Sequence, residues 1–347
     1  MGSTDRSQHT EMFRGAGRFA AGRLLALAAL VSVLIGGRWL AFSVQDFGTP
    51  DPAARSTGHD ALWLGHAWVS GQDTAAQVEQ LASTLRGTGI SDLFVHVGPL
   101  SDDGSLDPAK APAAAWFVRE VRALIPGVRV QAWLGDEVAP SGGMNIESAP
   151  TRARIVGAAR QVLALGFDGV HLDLEPIGDA DPGYLLLLSA LRPVVHAAGR
   201  VLSVSAEQVE PLPGTRWPME AVEGHSSWWS VAYLRQVAAL VDQVAIMSYD
   251  TALWSPSAYS GFVRDETETA LAAVPPGVAL LIGVPAYHDV HTLEHSSSAE
   301  TTAAALRGVR LGIGGPTPAG RDFGVALYVD FAATPADWAA YRADWSR

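Results

Sequence analysis

Residues 167–176 read Phe-Asp-Gly-Val-His-Leu-Asp-Leu-Glu-Pro. His171, Asp173 and Glu175 alternate with Val170, Leu172 and Leu174. A period of two puts the three polar side chains on one face of a strand and the three apolar ones on the other. Two neighbouring carboxyls at an apolar strand tip are costly to bury. Their repulsion raises the pKa of one of them, which keeps a carboxylic acid protonated near neutral pH and able to act as a general acid. Glu175, beside Pro176 at the tip, is the candidate acid, with Asp173 one pleat deeper.

Composition narrows the rest of the chemistry. The 347 residues contain no cysteine, so thiolate catalysis, thiolate metal sites and disulfides are excluded. Lys110 is the single lysine, in an Ala/Pro-rich stretch poorly suited to Schiff-base chemistry. The formal net charge is −12; residues 1–50 carry +2, leaving about −14 for the remainder. Such an acidic body argues against nucleic acid and strongly anionic partners. Neither a Ser/His/Asp elbow nor a phosphate-cradling loop is present; Gly312–Gly315 reads as a turn. His66, His96, His171 and Asp330 are scattered pieces of a possible metal site, but the first strand lacks a paired H-x-H and the pattern requires no metal and no cofactor.

These residues need elements to hold them. From residue 61 short apolar runs alternate with helical stretches. The predicted strands are Leu62–Val69, Asp92–Val97, Val128–Leu134, Gly169–Glu175, Val201–Ala206, Gln243–Tyr249, Ala279–Pro285 and Gly324–Phe331. Helices are expected near 74–87, 111–125, 150–165, 182–198, 228–240, 263–273, 298–308 and 335–345. Strands apolar almost throughout fit a parallel sheet covered on both sides. Eight βα units over residues 61–347 have the rhythm of a (β/α)8 TIM barrel, an α/β fold whose chemistry sits at the C-terminal strand ends. A doubly wound sheet is the competing layout, but no Gly-rich loop follows the first strand. Aromatics near strand ends, Trp68, Trp133 and Trp254, are candidate sugar-stacking platforms.

Asp168-Gly169-Val170-His171-Leu172-Asp173-Leu174-Glu175 resembles the D-G-x-D-x-D-x-E signature of family-18 glycoside hydrolases, the chitinase-like enzymes. It matches at Asp168, Gly169, Asp173 and Glu175; His171 replaces the second acid. Met247-Ser248-Tyr249-Asp250 resembles that family's M-x-Y-D on the sixth strand. Tyr328 stands on the last strand where the family usually has a tryptophan floor. The resemblance implies cleavage of a β-linked glycan containing N-acetylated hexosamine, assisted by the substrate's own acetamido group, outside the two-carboxylate scheme. It makes Glu175 the general acid/base, Asp173 the acetamido-orienting carboxylate and Tyr249 its hydroxyl partner. Asp250, Met247, Trp68, Trp133, Tyr328 and His171 would line the substrate site. Asp168 is expected to serve the turn into the strand. A protonated His171 would favour Asp173 as an anion; a neutral one can only hydrogen-bond. A non-catalytic glycan-binding protein is the alternative, and a metal-dependent barrel hydrolase a more distant one.

The first 44 residues read as targeting sequence. Arg14, Arg18 and Arg23 precede the apolar run Leu24–Ile35, which suits a signal-peptide core, with Ala41-Phe42-Ser43 offering a small-x-small cleavage site. Alternatively Leu24–Val44 is a signal anchor, with Arg38 snorkelling at its outer end. Both readings place the barrel outside the cell, secreted or tethered to the membrane. Residues 45–60 are expected to form a linker.

Overall fold

The computed structural model describes residues 36–346 except 38, 140, 212–227 and 289–294. The apolar run Leu24–Ile35 lies outside the described residues. Among the described residues no helix is long and apolar enough to cross a membrane.

Eight parallel strands close into one barrel in chain order. They are β1 Asp60–Leu64, β2 Ile90–Pro99, β3 Arg129–Glu137, β4 Gly169–Glu175, β5 Val201–Ala206, β6 Gln243–Ile246, β7 Ala279–Pro285 and β8 Phe323–Tyr328. Among the described residues, the helices that follow the strands are α1 Ala75–Leu85, α2 Ala114–Leu124, α3 Ala149–Ala164, α4 Pro182–Ala197, α5 Val231–Ala238, α6 Pro256–Ala273, α7 Thr302–Ile313 and α8 Pro335–Asp344. The (β/α)8 expectation is borne out, and β4, β5 and β7 match their predicted bounds residue for residue. Asp181 caps α4 by accepting from Tyr184 N, with Pro182 at the first helical position.

The D-G pair that opens β4 has a structural job. Asp168 accepts from Arg122 at 2.6 Å, Arg200 at 2.8 Å and Val130 N at 3.1 Å, so it ties three segments at the barrel base. A Cβ on Gly169 would stand 2.6 Å from Val201 O and 2.8 Å from Gln131 Oε1. Only glycine lets β5 and the interior glutamine approach this closely.

Two strands end earlier than expected. β1 stops at Leu64, and Ala67–Ser70 form a short helical turn that carries Trp68 off the strand. Gly65 allows the turn: a Cβ there would lie 2.6 Å from the Phe331 ring. β6 stops at Ile246 because the chain turns at once, Ser248 N donating to Ile246 O at 3.0 Å. Asp250 and Ala252 then take left-handed backbone angles of 58° and 54°. Trp228 and Trp229, expected inside the fifth helix, precede it.

The stretch 45–60, expected as a linker, runs along the outside of the barrel. Arg264 and Arg307 from α6 and α7 bind the backbone of residues 45–48, and Arg310 binds Asp51 O and Ala54 O.

Candidate active site

The floor of the site is the barrel interior beneath β4. Alternation on β4 turns His171 inward, where it is fully buried. Its ring stacks on Phe94 at 3.8 Å and 4°. Trp63 Nε1–H donates to His171 Nε2 at 3.1 Å, so this nitrogen is the acceptor and the proton sits on Nδ1, 2.7 Å from Ser203 Oγ. Ser203 in turn donates to Gln131 Oε1 at 2.9 Å, and Gln131 Nε2 donates to Asp92 Oδ1 at 2.9 Å. Burial pulls the His171 pKa down to about 3. The imidazole is therefore neutral at physiological pH and lends no positive charge to the residue above it.

Asp173 and Glu175 follow on the same inward face. They sit beside Gly135 and Glu137 of β3 in the ladder. Asp173 is half-buried, while Glu175 is open to the cleft. Loss of solvation raises the Asp173 pKa, partly opposed by the Ser205 hydroxyl. For Glu175 desolvation low in the barrel mouth, reinforced by the Asp173 and Glu207 carboxylates, pushes the pKa well above the ordinary carboxyl range. That is the electrostatic profile of a general acid.

Tyr249 arrives from just beyond β6. It is buried, and burial together with Tyr328 and Glu175 raises its pKa well above that of free tyrosine, so the hydroxyl keeps its proton. Its ring stacks on Tyr328 at 5.3 Å and 19°. Gln208 Nε2 donates to Tyr249 O at 2.5 Å, while Gln208 Oε1 accepts from Trp228 Nε1 at 3.0 Å. Asp173, Glu175, Tyr249 and Tyr328 are thus brought into one electrostatic neighbourhood. Met247 is buried and joins β5 by its backbone, donating to Ala206 O at 2.9 Å.

Asp250 is held by groups the sequence reading did not assign. Glu300, fully buried, accepts from Asp250 N at 2.7 Å, Thr251 N at 2.9 Å and Thr251 Oγ1 at 2.8 Å. Tyr287 donates its hydroxyl to Asp250 Oδ1. His295 Nδ1 lies 3.2 Å from Asp250 Oδ1 and 3.3 Å from Glu300 Oε2, its ring stacked on Tyr287 at 4.3 Å. Burial lowers the His295 pKa, but hydrogen bonds and charge from Asp250 and Glu300 outweigh it and push the value up to about 9. An imidazolium between two carboxylates satisfies the cluster. Asp250, His295 and Glu300 are also the one group among the described residues with the geometry to hold a metal ion.

Beside the acids opens a cavity of about 420 Å³, lined by His96, Trp133, Asp136, Glu137, Asp173 and Glu175 among others. Trp133 Nε1, Asp136 Oδ2 and Asp173 Oδ1 are buried without a hydrogen-bond partner. The Trp133 indole leans toward Asp173 and lowers its pKa, yet the geometry of a hydrogen bond is not completed. Trp254 is 69% exposed and Phe331 75% exposed, beyond β6 and β8. Trp68 is differently employed: its Nε1 donates to Asp330 Oδ2 at 2.7 Å and its ring packs on Phe117.

The four scattered metal candidates do not converge. His171 is enclosed below, Asp330 binds Gly65 N and Trp68, and His66 Nδ1 pairs with His96 O at 3.0 Å. Among residues the sequence reading left unassigned, Glu207 accepts from Ile177 N at 3.0 Å, and burial raises its pKa to about 7. Its position at the end of β5 was the available signal.

No protein-family model and no curated protein matches the sequence. Solved structures do match in fold. A chitinase from Chromobacterium violaceum superposes with TM-score 0.55 at 16% identity, covering 83% of this chain and 98% of that one. The spore cortex-lytic enzyme SleL of Bacillus megaterium gives TM-score 0.58 at 13% identity, covering 87% and 77%. SleL of Bacillus cereus gives 0.56 at 12%, covering 86% and 75%. These likenesses establish a shared barrel architecture.

Proposed function

We propose that the barrel is a glycoside hydrolase that cleaves β-linked glycans containing N-acetylhexosamine, acting on the outer side of the cell membrane. The observation that carries this reading is the pairing of Asp173 and Glu175 on one strand tip, both with raised pKa, their charges felt by the Tyr249 hydroxyl. Fold likeness to chitinases and cortex-lytic enzymes supports it by analogy.

Glu175 donates its proton to the departing glycosidic oxygen. As that bond breaks, the substrate's acetamido oxygen bonds to the anomeric carbon and forms a cyclic oxazolinium ion. Asp173 accepts the acetamido N–H and steadies the positive charge, while Tyr249 donates to the acetamido oxygen and orients it. Glu175, now a carboxylate, takes a proton from water as the water oxygen attacks the anomeric carbon, which restores the acetamido group and the acid. Neutral His171 supports Asp173 from below without neutralising it.

Chitin oligomers and cell-wall glycan fragments test the reading, comparing wild type with Glu175→Gln. General acid–base catalysis contributes roughly 10²–10⁴-fold, so the variant should lose about that much in kcat and still bind. Binding without cleavage by the wild type would replace the enzyme with a glycan-binding protein.

A further inference from the structure

Residues 39–45 are helical and have two unlike faces. Phe42 packs onto α6, 1% exposed, its ring edge-on to Phe262 at 5.5 Å. The backbone is pressed equally close: a Cβ on Gly261 would lie 1.8 Å from Phe42 O. Downstream, Arg264 donates to Gln45 O at 2.8 Å, and Arg307 donates to Asp46 Oδ1 at 2.7 Å and to Asp46 O at 2.8 Å. The segment is part of the folded barrel. A signal-peptide cut at Ala41-Phe42-Ser43 would sever a helix whose central residue is in the core.

The other face is apolar and bare. Trp39, Leu40, Val44 and Phe47 are 43%, 63%, 55% and 76% exposed, four of the nine large apolar side chains the described chain leaves exposed. At about 100° per residue Trp39, Leu40 and Val44 share an arc of about 140°, and Phe42 falls outside it. Ser43, on the bare face, turns its hydroxyl inward to Trp39 O at 2.9 Å. Four such side chains within nine residues make a patch rather than scatter, and patches have occupants.

The occupant follows from the neighbouring sequence. The run Leu24–Ile35, with Arg14, Arg18 and Arg23 before it, ends four residues before Trp39. As a helix, its twelve residues would span only about 18 Å, well short of a bilayer core of about 30 Å. Continued to Leu40 the helix would reach about 26 Å, most of that thickness, with Trp39 at the level where interfacial aromatics sit.

Direction along α6 adds orientation. α6 begins at Pro256 on the mouth side of the barrel, so Gly261 lies roughly 8 Å below its start. Phe42 O and Gln45 Cβ both meet Gly261, whereas Gly48 meets Leu311 and Asp51 O meets Arg310 near the lower end of α7. Followed backward from Asp51, the chain therefore climbs toward the mouth as far as Phe42.

We infer that residues 39–47 are a membrane-seated foot, retained in the mature protein, that holds the mouth rim of the barrel rather than its base nearest the lipid. The placement does not depend on the glycosidase reading. Where that reading also holds, the substrate is glycan lying against the membrane.

The absence of cysteine permits single-site labelling of the full chain. Ser298→Cys, exposed at the mouth end of α7, and Gly277→Cys, exposed at the base with nothing within 4 Å of an added Cβ, each take one fluorophore. In vesicles of phosphatidylethanolamine and phosphatidylglycerol with nitroxide on the headgroups, position 298 should be quenched at least twofold more than position 277. Equal or reversed quenching overturns the orientation. Mass spectrometry of the mature protein should recover the peptide covering Trp39–Phe47; a mature N-terminus beyond Phe42 overturns retention. Combined Trp39→Ser, Leu40→Ser and Val44→Ser, all at exposed positions, should reduce quenching at 298. Unchanged quenching together with loss of a wild-type dimer assigns the patch to a second copy and overturns the foot.

Discussion

Trp63 and His171 meet across the barrel, Nε1 to Nε2, at 3.1 Å, and that contact decides the charge beneath the candidate catalytic pair. An indole N–H can only donate, so His171 Nε2 must accept and the ring is neutral. The Ser205 hydroxyl stands 3.0 Å from the same nitrogen and also acts on the Asp173 carboxyl above. With the Nε2 lone pair taken by Trp63, the Ser205 proton is directed to Asp173. With a neutral histidine beneath it, Asp173 is thus supported through the Ser205 hydroxyl rather than by a positive charge.

Ser205→Ala tests this support. The hydroxyl lowers the Asp173 pKa, so its removal raises that pKa further. A hydrogen bond to an ion contributes roughly 1.5–3 kcal/mol, and one pKa unit corresponds to about 1.4 kcal/mol. If anionic Asp173 is the working form, the acidic limb of kcat/KM should move up by about one pH unit. An unmoved acidic limb would detach Ser205 from the chemistry.

The barrel was legible because a strand covered on both faces leaves a continuous apolar run, as β4, β5 and β7 do. Asp173, Glu175 and Tyr249 were legible because a pleat fixes their spacing along the chain. The charge of His171 was not, since it is set by Trp63, 108 residues away in sequence. Glu300 and His295 escaped notice for the same reason: their role is to hold Asp250, and only barrel closure brings them there. Trp68 looked like a platform because the end of β1 at Gly65 depends on Phe331, contributed from beyond β8.

Asp173→Asn should act on Glu175 through charge as well as through lost substrate alignment. The Asp173 carboxylate is, after desolvation, the largest influence raising the Glu175 pKa. Neutralising it lets the Glu175 pKa fall, so the acid loses its proton at lower pH. The basic limb of the residual activity should shift to lower pH, alongside a drop in kcat of at least 10²-fold, within the range for a catalytic group. A basic limb that stays in place would show that another group sets it.

His295 predicts a pH-dependent stability. Against the cost of burial, Asp250 and Glu300 push its folded pKa up to about 9, above the ordinary histidine value of about 6.5. Such a group stabilises fully below the unfolded pKa and loses its contribution as pH rises through the folded one. His295→Gln should therefore lower Tm by several degrees at pH 6, and the difference from wild type should close by about pH 9.5. A difference independent of pH would refute the imidazolium. A Tm that falls on chelation in the wild type would place a cation among Asp250, His295 and Glu300 instead.

Gly261→Ala offers a test of sign for the seated N-terminal segment. In an exposed helix interior, replacing glycine by alanine stabilises by about 0.5–1 kcal/mol, because glycine loses more backbone freedom on folding. In this structure the new methyl would stand 1.8 Å from Phe42 O, and backbone cannot yield as a flexible side chain does. The segment must then shift and draw Phe42 away from Phe262. Overpacking of this kind costs typically 1–3 kcal/mol, enough to reverse the intrinsic gain. A chain starting at residue 36 should therefore lose Tm on Gly261→Ala, whereas one starting at residue 50, which lacks Phe42, should gain it. The same sign in both chains would mean that residues 39–47 do not pack on α6 in solution.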